Sequence, residues 1–120
     1  MIEIIPVESD RILAIAAHGT VSAEDYENVI VPAIEKKLRN YSKLRFLYHL
    51  GSDFTGYTPF AVWDDAKFGI RHLTSFEKVA VVSEVPWVIH AVKFFGLFVP
   101  CPVELFDNDR LDAAKAWLNK

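Results

Sequence analysis

The sequence is poor in the residues that mark covalent or catalytic scaffolds. It has one cysteine, Cys101, which excludes an intrachain disulfide framework. Its four histidines, His18, His49, His72 and His90, are scattered. No pair has helical i, i+4 spacing, and there is no HExxH or Cys/His cluster, so no metal centre is expected. A glycine-rich phosphate loop and a nucleophile elbow are both missing, and with them the usual routes to phosphoryl and acyl transfer. Asp64 and Asp65 are adjacent, but neighbouring helical positions point about 100° apart and do not form an acid–base pair. Asp53 has no identifiable partner. No basic run exists and the formal net charge is −3, which argues against a nucleic-acid partner. No window of 18 apolar residues occurs, so no membrane-spanning helix is expected. The stretch MIEIIPVESDR lacks the pattern of a signal peptide, and a cytoplasmic location is the default.

What the chain does have is apolar residues. They make up 52% of its 120 residues, against 24% charged. That composition and length predict one folded domain, residues 1–120, with a core of its own.

Turn signals cut the chain into short units. Ile2 to Val7 reads as a strand, Glu8-Ser9-Asp10 as a turn, and Arg11 to Ala17 as a second strand paired antiparallel with the first. Ser22 is a good N-cap for a helix from Ala23 to Arg39, with Tyr26, Ile30, Ala33, Ile34 and Lys37 on one side. Pro32 is expected to kink it. Lys43 to Leu50 is a third strand, and Gly51 to Tyr57 reads as a loop. Thr58-Pro59 opens a second helix to about Leu73. Phe76 to Ser83 is a fourth strand, Pro86 opens a third helix, and Cys101 to Phe106 is a fifth strand. Asp107 or Asn108 caps a last helix to about Leu118. The order β-β-α-β-α-β-α-β-α predicts an α/β fold: a five-stranded, mostly parallel sheet whose first strand is the antiparallel exception.

This order resembles the SpoIIAA-like proteins, a divergent branch of the STAS fold. The resemblance rests on DFTGYTPFAVWDDAKFGIRH (Asp53 to His72), on FEKVAVVS, on the following Trp87 and on VELFDNDRLDAAKAWL. It implies a non-enzymatic α/β module without cofactors. STAS relatives act as partner-switching regulators through protein partners. The branch is also similar in shape to CRAL-TRIO lipid-carrying domains, which implies a non-polar ligand or lipid and contact with a membrane surface. Phosphorylated STAS regulators carry an Asp-Ser-Ser/Thr-Gly motif after the third strand. Here the stretch is GSDFTG, so Ser52 is a candidate phosphorylation residue outside that motif; otherwise it is a turn residue.

The candidate binding surface is aromatic. On the second helix Val62, Trp63, Ala66, Ile70 and Leu73 form a core stripe, while Phe60 and Phe68 fall among Asp64, Lys67 and Arg71 on the other side. On the third helix, VPWVIHAVKFFGLFV, apolar positions cover about 220° of the wheel, where a core stripe needs about 100°. Trp87, Ala91, Phe94 and Phe98 cluster on one side, with Val88, Val92, Phe95 and Val99 beside them. Only one cluster can face a sheet squarely. A neighbouring helix, a second protomer in a homodimer, or a non-polar ligand or lipid surface are the three occupants for the other. Phe54 and Tyr57 are candidates for the mouth of such a site. His90 is the candidate polar contact for a head group, and Gly96 the candidate hinge. Cys101, between Pro100 and Pro102, reads as a small buried hydrophobe.

Overall fold

Residues with alternating burial make the sheet, and their order decides which face each helix covers. The computed structural model describes residues 1–7, 9–59, 73–97 and 99–120. Strands β1 (Ile2–Ile5), β2 (Ile12–Val21), β3 (Leu44–Tyr57), β4 (Phe76–Ser83) and β5 (Val103–Phe106) form one sheet in chain order. β1 is antiparallel to β2, with Ile2 opposite Ala17 and Ile5 opposite Ala14. The remaining neighbours are parallel. The described connections from β2 to β3 and from β4 to β5 pack on the same face, as right-handed crossovers between parallel strands require.

That face carries Leu13, Ile15, Phe46, Leu50 and Val81, packed with Ile30 and Ile34 from the first helical stretch and Val88 from the third predicted helix. The opposite face carries Ile12, Ala14, Leu47, Ala80 and Val82, packed with Ala114 and Leu118 of the last helix. The period of two along β2 divides Ile12 and Ala14 from Leu13 and Ile15.

The first helical stretch begins as predicted. Ser22 Oγ accepts from the Asp25 backbone N–H at 3.2 Å, while the Ser22 N–H donates to Asp25 Oδ2 at 2.8 Å, a capping box. Helix α1 (Ala23–Asp25) then passes through a π segment (Tyr26–Ile30) into α2 (Val31–Leu38). Pro32 stands in the first turn of α2, just after the π segment. Pro lacks the N–H that a regular helix needs there, and the wider π turn absorbs the break.

Helix α3 (Pro86–Phe95) has Pro86 in its first turn, and α4 (Leu111–Asn119) follows a 3-10 turn at Asn108–Arg110. Asp107 takes the extended cap conformation without a side-chain bond. Glu84 instead accepts the Asn108 N–H at 3.0 Å. The predicted second helix, with Phe60, Asp64, Asp65, Phe68 and His72, lies outside the described residues, as does Phe98. The Phe95 side chain is likewise outside them.

Four strands differ in extent from the sequence reading. β1 stops at Ile5 and β5 starts only at Val103, after the two prolines that cannot donate to a ladder. β2 continues past Ala17 to Val21, and β3 continues through the expected loop to Tyr57. Gly19 (φ 62°) and Gly56 (φ 137°) make that continuation passable, because both lie where L side chains are strained. Gly96 is no mid-helix hinge: it is the C-cap of α3 in ordinary helical geometry.

The last helix is clamped by cations. Arg45 donates to the Leu118 carbonyl and to Glu77 Oε1 at 3.3 Å, and Lys78 Nζ donates to the Trp117 carbonyl at 3.2 Å. The Leu118 and Trp117 carbonyls belong to the last turn of the helix, whose carbonyls lack regular helical partners; that of Trp117 also accepts from the Lys120 N–H at 3.3 Å. The Arg45 side chain is only 14% exposed. Arg45→Ala is expected to cost about 2 kcal/mol, read as a fall of about 8 °C in the thermal unfolding midpoint. Arg45→Lys restores little of it, since lysine has no planar fork to hold both acceptors.

Candidate functional site

Two features meet at Trp87, just past the carboxyl end of β4, and the apolar one runs from there along α3 toward the start of β5. One is apolar and outward. Trp87 is 49% exposed, Phe94 58% and Leu97 79%. Val88 and Val92 point to the sheet, so the Trp87–Phe94 side of α3 is turned away from it. His90 and Lys93 are exposed on the same helix. Between α3 and the edge strand β5 runs a groove of about 180 Å³, lined by Val92, Lys93, Gly96, Val103 and Leu105. The charged residue of its lining is Lys93.

Beneath Trp87 lies an aromatic bed. The Phe54 and Tyr57 rings are 5.3 Å apart, and they lie 5.7 Å and 6.2 Å from Trp87. Tyr26 lies 6.2 Å from Tyr57, and the Tyr57 hydroxyl donates to Tyr48 at 2.9 Å. Rings at these separations in tilted and edge-on poses attract beyond their buried area. Phe54 is only 6% exposed, so it forms the floor under Trp87 rather than an open mouth. The structure thus brings Phe54, Tyr57 and Trp87 together, and leaves His90 and Phe94 further out on α3.

The second feature is polar and was not read from the sequence. His18 Nδ1 lies 2.6 Å from Asp53 Oδ2, and His18 Nε2 lies 2.9 Å from Glu3 Oε1. Asp53 therefore has a partner, 35 residues away on β2. Both ring nitrogens can donate only when the imidazole is charged. The hydrogen bonds to Asp53 and then Glu3 raise the His18 pKa above its ordinary value. The His18 bond holds Asp53 below the usual carboxylate range. His49, further along β3, is shifted the opposite way, because burial and the nearby His18 charge both favour its neutral form.

The sign of the pH effect follows. The raised histidine stabilises the fold fully below about pH 6.5, the unfolded imidazole value, and that contribution is lost as pH rises through the folded value. The depressed Asp53 contributes above its unfolded value of about 3.9 and loses that contribution as pH falls through the folded one. His18→Gln should therefore lower the unfolding midpoint most in mildly acidic buffer. The gap from the native chain should close as the buffer becomes alkaline.

Other predicted features are plainer. Ser52 is exposed on β3, and the Thr55 hydroxyl is hydrogen-bonded to that of Thr20 at 2.9 Å. Cys101 is partly exposed rather than buried, and it precedes β5 instead of starting it. Burial still pushes its thiol pKa up, which disfavours the reactive thiolate. Among the described residues no group of three or more His, Cys, Asp or Glu side chains can hold a metal ion. Among them, too, no helix is long and apolar enough to cross a membrane.

A sequential five-stranded mixed sheet with helices on both faces defines an α/β module of the STAS type. The family model described as SpoIIAA-like matches residues 12–119, and the chain belongs to the SpoIIAA-like family. It is similar to the crystal structure of an uncharacterized protein of the DUF3478 family with a SpoIIAA-like fold, from Shewanella loihica PV-4. The match has a TM-score of 0.76 and 27% sequence identity, and covers 98% of this chain and 92% of that one. No curated protein matches the sequence.

Proposed function

We propose that the protein is a non-enzymatic binding module that docks on a lipid surface through the outward side of α3. The observation that carries this reading is the exposure of Trp87 and Phe94 on the short α3, which has one formal charge, and of Leu97 just past its C-cap. Apolar groups of that size gather on a protein surface chiefly where they meet a partner. The groove beside α3, at about 180 Å³, is smaller than the roughly 300–1,000 Å³ that encloses a typical small ligand. Lys93 is the one formal cation of α3 and the chain carries a net charge of −3, so attraction to acidic lipid supplies little.

The test is co-sedimentation with phosphatidylcholine vesicles, followed by tryptophan emission. The protein should pellet with neutral vesicles and its emission should move to shorter wavelength. Adding acidic lipid or salt should change little. A dimer that forms with concentration, buries Trp87 and ignores vesicles would assign the same helix side to a second copy instead.

A further inference from the structure

We propose that Glu3, His18 and Asp53 form a proton-operated latch on the docking side of α3: charged His18 holds the outer part of β3, and with it the ring on which Trp87 rests, while neutral His18 lets go. The inference builds on the docking function proposed above and names its regulation.

The latch sits where the ladder fails. Ala17 pairs with Leu50 and Gly19 with Phe54, so β2 spends one residue where β3 spends three. The odd residue on β2 is His18, and the three on β3 are Gly51, Ser52 and Asp53. Side-chain contacts close this gap in place of regular pairing. The His18 ring reaches Asp53 on one side and Glu3 of β1 on the other, at 2.6 Å and 2.9 Å. One ring thereby ties three strands together.

Loss of one proton changes this geometry by necessity. A neutral imidazole keeps one N–H. Its other nitrogen then faces a carboxylate oxygen with a lone pair, and one arm of the clasp opens. Asp53 is covalently next to Phe54, whose ring lies 5.7 Å from Trp87 in the first turn of α3. The outer end of β3 keeps its pairing of Thr20 with Gly56 and Val21 with Tyr57, so release shifts the segment without detaching it.

Among the described residues the charged and titratable groups around the ring are these. Glu3 and Asp53 touch the ring. His49 of β3 adds a like charge only when protonated. The Met1 amine donates to the His18 carbonyl at 2.8 Å and pairs with Asp25 at 3.4 Å. His90 stands on α3 itself, so the test is run in a His90→Gln background.

In that background the His18 ring, the Phe54 amide and the Trp87 indole N–H are followed by NMR from about pH 5.5 to about pH 8.5. Vesicle partitioning is measured over the same range. The indole and the Phe54 amide should move with the His18 midpoint. Partitioning should be about three-fold higher at the acidic end, the size of effect that one or two part-exposed charge contacts support. Asp53→Asn should lower the His18 midpoint, and His18→Gln should abolish both steps. Binding that is present but flat with pH overturns the latch, as does a Trp87 step that survives His18→Gln. A Trp87 step that follows His18 without any vesicle binding supports the latch and overturns the docking function alone.

Discussion

Trp87→Ser, Phe94→Ser and Leu97→Ser combined in one chain should abolish vesicle binding while the protein stays folded. The three side chains are about half exposed or more, so their removal leaves the sheet-facing Val88 and Val92 in place. Each fully buried side chain of this kind gives up about 1.5–3 kcal/mol on leaving water, and these three have roughly half that to gain. Together they supply about 3 kcal/mol, so partitioning should fall by about a hundredfold. Circular dichroism should stay close to that of the native chain, and the thermal midpoint should fall by only a few degrees, from the lost Trp87 contacts with Phe54 and Tyr57. Sedimentation that is unchanged in the triple variant would place the contact elsewhere on the molecule.

Phe54→Ala should have the opposite profile. Phe54 is buried, touches Tyr57 and Trp87, and belongs to the core cluster that includes Val21, Tyr26 and Val88. Emptying such a site costs about 3–5 kcal/mol, from lost transfer energy and the cavity left behind. Denaturant titration should show the midpoint falling without a change in slope. Phe54→Leu, which keeps most of the volume, should cost well under half as much. Vesicle binding per folded molecule should also weaken in Phe54→Ala, because Trp87 loses its floor. Stability that survives the substitution would mean that Phe54 is not the support for α3 described above.

Much of the fold is readable from local signals. FEKVAVVS forms a strand over the predicted residues because β-branched residues are bounded by turn formers on both sides. The antiparallel first pair follows from two short apolar runs separated by Glu8-Ser9-Asp10, and Ser22 caps where it should. Pro32 marks the irregular point of the first helical stretch, although its effect is a π segment rather than a simple kink. The apolar arc of α3 is legible too: it is far wider than a core stripe, so the sequence asks for a second occupant without saying whether it is a helix, a second copy or a ligand.

The stretch from Gly51 to Tyr57 is different. Gly51, Ser52, Asp53 and Gly56 are turn formers, and locally they outvote Phe54 and Tyr57. What keeps the segment in the sheet is pairing with Gly19, Thr20 and Val21, a partner more than 30 residues away. The His18–Asp53 contact depends on the same pairing. No spacing rule connects two residues on different strands until the register between them is known. The polar half of the candidate site was therefore hidden, whereas its apolar half lay on one helix and showed its periodicity.

The strand order has a consequence for how the protein is made. All five strands, and the connections seen on one face, precede α4 in synthesis. Among the described elements, α4 is what covers Ile12, Ala14, Leu47, Ala80 and Val82 on the other face. Until α4 docks, that face is a flat apolar surface suited to aggregation. Arg45 and Lys78, waiting on β3 and β4 for the carbonyls of Leu118 and Trp117, form the catch that closes it.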